Sequence, residues 1–405
     1  MAAYVARQPI FDHRKKISGY ELLFRDRMAK YNPSVDGDVA TSTVLSNSYF
    51  SIGMESLVGD KRSFINFTQS LLLQKLPLLL PTQSTVIEIL EDVNPTEELV
   101  TACQEMAKQG YHFALDDFIY TPKLQPLIEL ANIIKFDFRL SSMDEIHCYL
   151  KKIRRRDDLI ILAEKVETYD EYQRAIEMGF NLFQGFFFCK PQLISGKEIP
   201  GSQIALLQIM AEVNQPDFKI EKIEALISPD VSLSYKLLRY INSAFFSTAQ
   251  RISSIQQALV YLGESEIRRF VSLVAMSNLA EGKPGELIRA SCIRGKFCEL
   301  IGGYVKERAT GSELFTLGMF SLIDAILDHP MGKVMNALPL SEDIKTALVE
   351  RKGRLSGYLF LAETYEKGQW PQMAKICRVM DIDEQKLPEL YQQACQWSNT
   401  FSNPS

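Results

Sequence analysis

Short apolar runs alternate with amphipathic stretches through the first 195 residues of this 405-residue chain. Runs of this length, bounded by turn residues, predict buried strands. Six of them are FINF (64–67), TVIEIL (85–90), YHFALDD (111–117), ANIIKFDF (131–138), LIILAEK (159–165) and FNLFQGFFF (180–188). Strands that alternate with helices favour a parallel sheet with the helices outside. With two further candidates in YVARQPIF and ISGYELLFR, there are enough strands to close a TIM-like α/β barrel.

The stretches between these strands carry helix start and stop signals. In NPTEELVTACQEMAKQG, Asn94 is the predicted N-cap, Pro95 lies in the first turn and Gly110 ends the helix. The stretch ETYDEYQRAIEMGF also ends at a glycine, Gly179. Helices with such defined ends, placed between the predicted strands, indicate a repeated strand–helix unit.

The pattern changes after PQLISGKEIPGSQ (191–203), whose two prolines and two glycines predict a linker. Beyond it, apolar residues recur at helical spacing, as in SLSYKLLRYINSAFF (232–246) and ELIRASCIRGKFCELIGGYVKE (286–307). No strand alternation stands out there. We therefore predict two domains, a barrel over residues 1–195 and an all-helical domain over residues 196–405.

Charge and cysteine content narrow the expected partners and location. A net charge of −5 gives no general attraction to nucleic acid or to an anionic membrane, so neither is expected as a partner. Seven cysteines without a C-x-x-C pair favour a reducing compartment and argue against a disulfide framework or a zinc knuckle. The N-terminus lacks an apolar signal-peptide core, and the apolar runs are too short to span a bilayer. These features predict a cytoplasmic protein.

Polar side chains stand at the carboxyl ends of nearly all the predicted strands. They are Glu21, Asn66, Glu88, Asp116, Asp117, Lys135, Glu164 and Gln184. Singly, a carboxylate at a strand end is more often a solvated rim residue or a helix cap. In a barrel these ends meet on one face, and four or five carboxylates around one lysine require cations. Hard oxygen ligands favour Mg²⁺ or Mn²⁺ over zinc, and two such ions can clamp a phosphodiester and activate a water.

The same positions resemble the EAL domain family, TIM-like barrels that hydrolyse the bacterial messenger cyclic di-GMP to a linear dinucleotide with two divalent cations. The segment GYELLFR (19–25) is similar to the E-x-L-x-R signature of the family. Further matches follow in order over residues 3–195. They are RQPIF for the opening Q-P-I, FINFT, EILE for E-x-x-E, LDDF, IIKFD, AEKVET for A-E-G-V-E-T, and FQGF. The resemblance implies a bacterial signal-transduction protein.

The resemblance also implies a role for each matched residue. The metal ligands would be Glu21, Asn66, Glu88 and Asp116, with Asp117 serving the second ion. The catalytic group would be Lys135, which orients or polarises the attacking water, its carboxylate partners Glu164 and Glu167, and Gln184, which helps to seat that water. The contacts to cyclic di-GMP would come from Gln8 and Arg25.

One segment departs from the family pattern. The family continues the aspartate pair as D-D-F-G-T/S-G-Y-S-S-L, whereas here Ile119 and Thr121 replace the two glycines and Pro122 follows. Glycine adopts positive φ freely, β-branched residues do so at a cost, and a proline restricts the residue before it. We therefore expect this loop to fold differently. Because the family's loop supports metal placement and lies by a dimer contact, the resemblance leaves hydrolysis and a homodimer open.

The helical half resembles the HDOD domain, a relative of the HD phosphohydrolases. The similar stretches are ISPDVSLSYKLLRYINSAFF (227–246), ISSIQQALVYLGESEIRRFVSL (252–273) and LFTLGMFSLIDAIL (314–327). The parent enzymes bind metal through histidines and a His-Asp dyad, but this half contains only His329, which no aspartate follows. We therefore expect a non-catalytic domain that contacts protein partners. Asn242 and Ser243 are predicted to cap and close a turn, and RKGR (351–354) to form a solvated turn.

Two functions remain open at this point. The first is a cyclic di-GMP signalling protein whose barrel binds nucleotide or partners with little or no hydrolysis, and whose helical half relays the state. The second is a working phosphodiesterase regulated by its helical half. The intact ligand set favours the second, the rebuilt loop favours the first, and of the two we favour the first. A scaffold without nucleotide binding is disfavoured by the retained polar positions.

Overall fold

The computed structural model describes residues 4–25, 57–153, 158–190, 254–279, 283–305, 311–336 and 340–402, and the isolated positions 156, 213, 237, 238, 240–242, 252 and 338. The chain divides into two compact units. The first comprises Met1–Phe188 and Tyr365–Trp370, and the second comprises Cys189–Thr364 and Pro371–Ser405. Among the described residues, no helix has the length and apolar content needed to cross a membrane.

Eight strands close into a barrel in the first unit. They are β1 (Tyr4–Asp12), β2 (Ile17–Arg25), β3 (Arg62–Phe67), β4 (Thr85–Ile89), β5 (His112–Leu115), β6 (Ile133–Asp137), β7 (Ile160–Glu164) and β8 (Leu182–Gln184). The predicted α/β barrel is therefore present, with one difference. Neighbours from β2 to β8 are parallel, whereas β1 is antiparallel to both β2 and β8. The link between β1 and β2, residues 13–16, makes a hairpin and is too short for the crossover that a parallel pair requires.

Helices follow the parallel strands. They are α1 (Gln69–Leu73), α2 (Glu97–Lys108), α3 (Gln125–Leu130), α4 (Met143–Ile153) and α5 (Tyr169–Glu177). The N-cap of α2 is Thr96, whose hydroxyl accepts a hydrogen bond from Leu99 N, so the prediction of Asn94 was wrong by two residues. Gly110 and Gly179 follow α2 and α5 with φ of 95° and 81°, which confirms them as helix stops.

A layer of apolar side chains fills the interior of the barrel. Its members are Ile10, Phe64, Val86, Ala114, Ile133, Leu162 and Leu182, from seven of the eight strands. On β2, a Cβ added to Gly19 would lie 2.8 Å from the Phe64 ring, so only glycine fits beside that ring. Because side chains alternate between the two faces of a strand, residues two positions away from this layer also point into the barrel.

The second unit is helical in its described residues. From residue 255 onwards the helices are α6 (Ile255–Leu279), α7 (Gly285–Tyr304), α8 (Gly311–Phe320), α9 (Ile323–Leu327), α10 (Met331–Asn336), α11 (Glu342–Val349), α12 (Ser356–Glu366), α13 (Trp370–Val379) and α14 (Leu387–Ser402). The long helix α7 packs against α8 and α14. A Cβ on Gly318 would lie 2.5 Å from the carbonyl oxygen of Arg294, so this glycine lets α7 and α8 approach closely.

The predicted helices before residue 254 lie outside the described residues, apart from isolated positions. Asn242 has the predicted turn-closing role, because its side chain donates to the carbonyl oxygens of Leu238 and Ile252 and accepts from Ile252 N. Ser243 lies outside the described residues. The segment 351–354 forms a largely exposed turn between α11 and α12, as predicted.

Candidate functional site

A polar layer lies directly beyond the apolar layer of the barrel. On the parallel strands β3 to β8, it consists of the residues two positions after each apolar member, namely Asn66, Glu88, Asp116, Lys135, Glu164 and Gln184. Because β1 runs in the opposite direction, its polar residue precedes Ile10 by two positions and is Gln8, which pairs in register with Glu21 of β2. Strand periodicity and barrel closure thus bring these eight side chains together at one end of the barrel.

The ammonium of Lys135 stands at the centre of this layer. Lys135 is completely buried, and its Nζ lies 2.6 Å from Glu88 Oε1 and 2.6 Å from Asp116 Oδ1. Two further carboxylate oxygens lie 2.9 Å and 3.6 Å from it, those of Glu164 and Glu21. Four carboxylates therefore surround one lysine, and the group as a whole has an excess of negative charge.

The pKa values reflect this imbalance. Burial disfavours the charged ammonium, but the four carboxylates, led by Glu164, outweigh that effect and raise the pKa of Lys135. Burial raises the pKa of Glu88 and of Glu164, and the attraction of Lys135 offsets only part of the increase. One ammonium is thus not enough to hold all these carboxylates in their charged form, and an added cation would stabilise them.

Two amide side chains orient the carboxylate of Glu21. Asn66 Nδ2 donates to Glu21 Oε1 at 3.1 Å, and Gln184 Nε2 donates to Glu21 Oε2 at 2.6 Å. The same Gln184 nitrogen donates to Gln8 Oε1 at 3.0 Å. Because the NH₂ groups of Asn66 and Gln184 are used in this way, their carbonyl oxygens remain available as acceptors.

Several oxygens of the polar layer are buried without a hydrogen-bond donor among the described residues. They are Asn66 Oδ1, Glu88 Oε2, Glu164 Oε2 and Gln184 Oε1. Buried polar atoms in proteins are nearly always satisfied, and each exception costs about 1–3 kcal/mol. Carboxylate and amide oxygens are the ligands that Mg²⁺ and Mn²⁺ prefer. The donor set therefore fits a divalent cation.

The aspartate pair lies at the mouth of this group. Oxygens of Asp116, Asp117 and Glu164 all lie within 4.8 Å of one another, close enough to share a cation. Asp117 has φ of 40°, and burial together with the charge of Asp116 raises the pKa of Asp117 to about 6. Hydrogen bonds hold the backbone on both sides, since Asp116 N donates to Ile89 O and Phe118 N donates to Lys135 O, both at 3.0 Å.

The loop after the aspartates is anchored through an aromatic side chain. Tyr120 stacks on Tyr149 of α4 with ring centroids 6.4 Å apart, and the ammonium of Lys152 lies 4.6 Å from the Tyr120 ring centroid. Ile119 is exposed, and a short 3₁₀ helix begins at Pro122. Within residues 116–124, only Asp117 has a positive φ. The loop thus reaches α4 without the glycine-type conformations that the family motif would supply.

Sequence reasoning missed one charged residue of the site. Lys165 directly follows Glu164 with φ of 53°, and its ammonium contacts the carboxylate of Asp137. The other oxygen of Asp137 accepts a hydrogen bond from Arg139 N at 2.5 Å. The sequence did offer a signal for Lys165. In the motif A-E-G-V-E-T, a glycine occupies the position at which AEKVET has this lysine.

One predicted residue, Glu167, is not placed in the group. Glu167 is exposed in the loop after β7, and Lys135 Nζ has only the carboxylates of Glu21, Glu88, Asp116 and Glu164 within 4.0 Å among the described residues. The predicted pairing of Lys135 with Glu167 is therefore not formed. The reason is local, because Glu167 N donates to Glu171 Oε2, which belongs to the capping box of α5. The side chain of Arg25 lies outside the described residues.

The helical unit contains no comparable site in the part of the chain that the structure describes. Among its described residues, no three histidine, cysteine, aspartate or glutamate side chains lie close enough together to hold a metal ion. His329 is buried, and its backbone N donates to the carbonyl oxygen of Asp324 at 3.2 Å. This placement is that of a core residue.

Comparisons with known proteins match the helical half by a family model and the whole chain by two relatives. The model of the HDOD domain matches residues 199–351. The chain is 38% identical over 401 residues to the cyclic di-GMP phosphodiesterase CdgJ of Vibrio cholerae serotype O1, covering 98% of this chain and 93% of that protein. It is 35% identical over 409 residues to the uncharacterised protein YuxH of Bacillus subtilis, covering 99% of each.

Solved structures give weaker similarities. BlrP1 of Klebsiella pneumoniae, in a complex with calcium and cyclic di-GMP, is 19% identical with a TM-score of 0.38, over 46% of this chain and 55% of that chain. The EAL domain of FimX from Pseudomonas aeruginosa, bound to cyclic di-GMP, is 16% identical with a TM-score of 0.38, over 46% of this chain and 89% of that chain. These TM-scores are too low for the structural similarity to assign the barrel to a family or a function. The sequence identity to two relatives over nearly their full length shows the family. This chain belongs to the family of CdgJ and YuxH, and its helical half contains an HDOD domain.

Proposed function

We propose that the barrel is a divalent-cation-dependent phosphodiesterase that opens cyclic di-GMP to the linear dinucleotide pGpG. The observation that carries this proposal is the buried Lys135 ammonium, which contacts three carboxylates at 2.6–2.9 Å beside oxygens that have no donor in the part of the chain that the structure describes. The name of CdgJ, a full-length relative at 38% identity, supports the same substrate. The assignment of the barrel to the EAL domain family is part of this proposal.

The cation ligands would come from residues of the polar layer and its mouth. They are Glu21, Asn66, Glu88, Asp116 and, for a second ion, Asp117. Bound Mg²⁺ or Mn²⁺ would supply Lewis acidity toward the phosphodiester. This set fits because its oxygens are hard ligands and because Asn66 Oδ1 and Glu88 Oε2 are buried without donors among the described residues.

The remaining residues would act on water and nucleotide. Lys135 would donate a hydrogen bond to an attacking water in exchange for one of its carboxylate contacts, and Glu164 Oε2, which lacks a donor among the described residues, can accept the proton of that water. The water oxygen would form a bond to phosphorus while the ester bond to the leaving sugar oxygen breaks, and that oxygen would take up a proton from solvent. Gln184 fixes the orientation of Glu21 by its 2.6 Å hydrogen bond. Gln8 and Arg25 remain proposed contacts to the nucleotide.

Incubation of the full-length chain with cyclic di-GMP and Mn²⁺, followed by chromatography of the products, tests this function. We expect the linear dinucleotide from the wild type and at least a 100-fold lower rate from Glu164→Gln, because loss of a general base costs about two orders of magnitude or more. Glu177→Gln, an exposed change at the end of α5, should retain the wild-type rate. A wild type that yields no product under Mn²⁺ or Mg²⁺ would contradict the proposal.

A second candidate function is a cyclic di-GMP receptor with little or no turnover. The observation that favours it is the segment 119–121, which lacks the glycines of the family motif and is held to α4 by Tyr120. A receptor would bind cyclic di-GMP in the presence of Ca²⁺ but release no linear product under Mn²⁺. If neither binding nor turnover is found, a scaffold role would be left.

For the helical half, we propose contacts to protein partners rather than chemistry. The support is chemical, since this half has a single histidine, and that residue is buried. A full-length chain carrying Asp116→Asn, which removes a barrel ligand, should contain no stoichiometric iron or zinc by elemental analysis. Either metal at one equivalent would contradict this proposal.

A further inference from the structure

The barrel unit includes a short segment that lies far beyond its strands in the chain. Residues Tyr365–Trp370 (YEKGQW) span the junction between α12 and α13, and they group with Met1–Phe188 rather than with the helical unit. They also lie outside residues 199–351, which the HDOD model matches. Tyr365 is completely buried and Trp370 is 9% exposed, so both belong to the apolar core of the barrel unit.

This segment contacts β1 at the mouth of the barrel, the end at which the polar layer lies. The Tyr365 hydroxyl donates to the carbonyl oxygen of Val5 at 3.3 Å, and the rings of Trp370 and Tyr4 pack with centroids 5.9 Å apart. β1 pairs with β8 over Ile10–Asp12, and no described strand pairs on that side with the part of β1 nearer the mouth. The segment therefore contacts the part of β1 that only β2 supports within the sheet.

The same segment contacts β2 and the loop after β8. Gly368 has φ of 65°, and a Cβ added to it would lie 2.8 Å from Leu23 Cδ1 on β2. The ammonium of Lys367 lies 5.2 Å from the ring centroid of Phe186, which follows β8. Glycine suits this turn because it adopts positive φ freely and leaves room for Leu23.

The three elements that the segment contacts carry three polar-layer residues that are hydrogen-bonded to one another. Gln184 Nε2 donates to Gln8 Oε1 at 3.0 Å and to Glu21 Oε2 at 2.6 Å. Leu23 is two residues from Glu21, and Phe186 is two residues from Gln184. A shift of these elements at the mouth would therefore displace Glu21, a carboxylate of the proposed cation site.

We propose that Tyr365–Trp370 is a positioning segment of the barrel, which holds the mouth ends of β1 and β2 and thereby the geometry of the cation site at Glu21. This inference rests on the proposed metal site and adds to it a dependence on a segment that is continuous with α12 and α13. Replacing residues that orient metal ligands typically lowers the metal affinity by about 10- to 100-fold. The cation affinity of the barrel would then change with any displacement of this segment.

Calorimetric titration of the full-length protein with Mn²⁺, without nucleotide, tests this role. Trp370→Leu and Tyr4→Leu should each bind Mn²⁺ at least about tenfold more weakly than the wild type, because each removes the ring contact between the segment and β1. The double variant should be weaker than either single variant by no more than about threefold, because the two residues share that contact. Trp370→Phe keeps an aromatic ring and should stay within about threefold of the wild type.

The matched control is Trp397→Leu, because this second tryptophan is buried in the helical unit and packs against Phe315 with ring centroids 5.6 Å apart. It should bind Mn²⁺ like the wild type. Equal affinity in the wild type and in folded Trp370→Leu and Tyr4→Leu would overturn the positioning role and leave the metal site intact. Equal losses in Trp370→Leu and Trp397→Leu would also overturn it. If the wild type itself binds no Mn²⁺, the metal site of the proposed function fails and the inference fails with it.

A second measurement leaves the contacts of the segment in place. In Trp397→Phe, Trp370 is the only tryptophan of the chain, so its fluorescence reports on the segment. Because coupling between two sites is reciprocal, Mg²⁺ should change the emission of Trp370 with the same midpoint as calorimetric binding. Glu21→Gln in this background should abolish the change. Constant Trp370 emission while Mg²⁺ binds would overturn the inference, even where the leucine variants do not fold.

Discussion

At the scale of single residues, Lys135 decides the electrostatics of the barrel. It is the one ammonium within 4.0 Å of Glu88, Asp116 and Glu164 among the described residues. Removing one partner of a buried ion pair lowers the stability of the fold by more than the intact pair contributes to it. The reason is that the remaining charge is left unpaired in a medium of low polarity. The lysine is therefore a structural requirement of the site as well as a proposed catalytic group.

Lys135→Met should lower the free energy of unfolding by about 3 kcal/mol in the presence of a chelator, for this reason. Urea denaturation of the full-length protein measures the loss, and Mn²⁺ should restore part of it. The control Lys108→Met, at an exposed lysine at the end of α2, should change the free energy of unfolding by no more than about 0.5 kcal/mol. A loss in Lys135→Met no greater than in the control would contradict the central role of this ammonium.

Asp117 makes the stability of the cation-free protein depend on pH. Its pKa in the fold is about 6, above the ordinary value of 3.8, so the fold favours the protonated carboxyl group. The contribution of Asp117 to the free energy of unfolding is then fully present below pH 3.8 and is lost as the pH rises through about 6.

Asp117→Asn lacks this titration, so its free energy of unfolding should rise relative to that of the wild type between about pH 4.5 and pH 7. Urea denaturation at several pH values, with chelator present, measures the difference. Asp158→Asn, at an exposed aspartate, should run parallel to the wild type over the same range. A constant difference between Asp117→Asn and the wild type would rule out the raised pKa.

At the scale of elements, the loop after β8 must approach the loop after β7 closely. A Cβ on Gly185 would lie 2.1 Å from the carbonyl oxygen of Val166, and Gly185 has φ of 145°. Val166 N in turn donates to the carbonyl oxygen of Gln184 at 3.0 Å. The glycine thus allows the backbone contact that places Gln184 against Glu21.

Gly185→Ala should lower the free energy of unfolding by more than about 2 kcal/mol, because backbone atoms rather than a flexible side chain meet the added methyl group. It should also reduce cation-induced stabilisation, since Gln184 is displaced. Gly110→Ala is the matched control: its φ of 95° also lies in the range that alanine rarely adopts, but no atom lies within 4 Å of the added Cβ. Equal losses from both substitutions in thermal melting would show that strain of the backbone, rather than close contact, sets the cost.

At the scale of the whole molecule, cation binding should be visible as stabilisation of the barrel unit. A ligand at about 100 times its Kd adds about 2.7 kcal/mol to the stability of the native state. In calorimetric melting, Mn²⁺ or Mg²⁺ should therefore raise the Tm of the barrel by several degrees and leave the transition of the helical unit unchanged. Asp116→Asn should abolish the rise, whereas Asp158→Asn should preserve it. A wild type indifferent to both ions would rule out the metal site.

The sequence by itself determined the strand–helix alternation, the helical second half and the identity of the polar residues, because these follow from local periodicity and residue chemistry. Alternation along each strand was enough to expect that Phe64 and Asn66, or Ile133 and Lys135, share one face. Barrel closure in three dimensions decided the rest. It paired β1 with β8, so that Gln8 of the reversed strand joined the layer beside Gln184, and it brought the ends of β5, β6 and β7 together, where Lys165 meets Asp137. It also left Glu167 outside, because the capping box of α5 holds its backbone. Contacts between residues far apart in the chain depend on closure of the sheet, and periodicity within one strand carries no information about them.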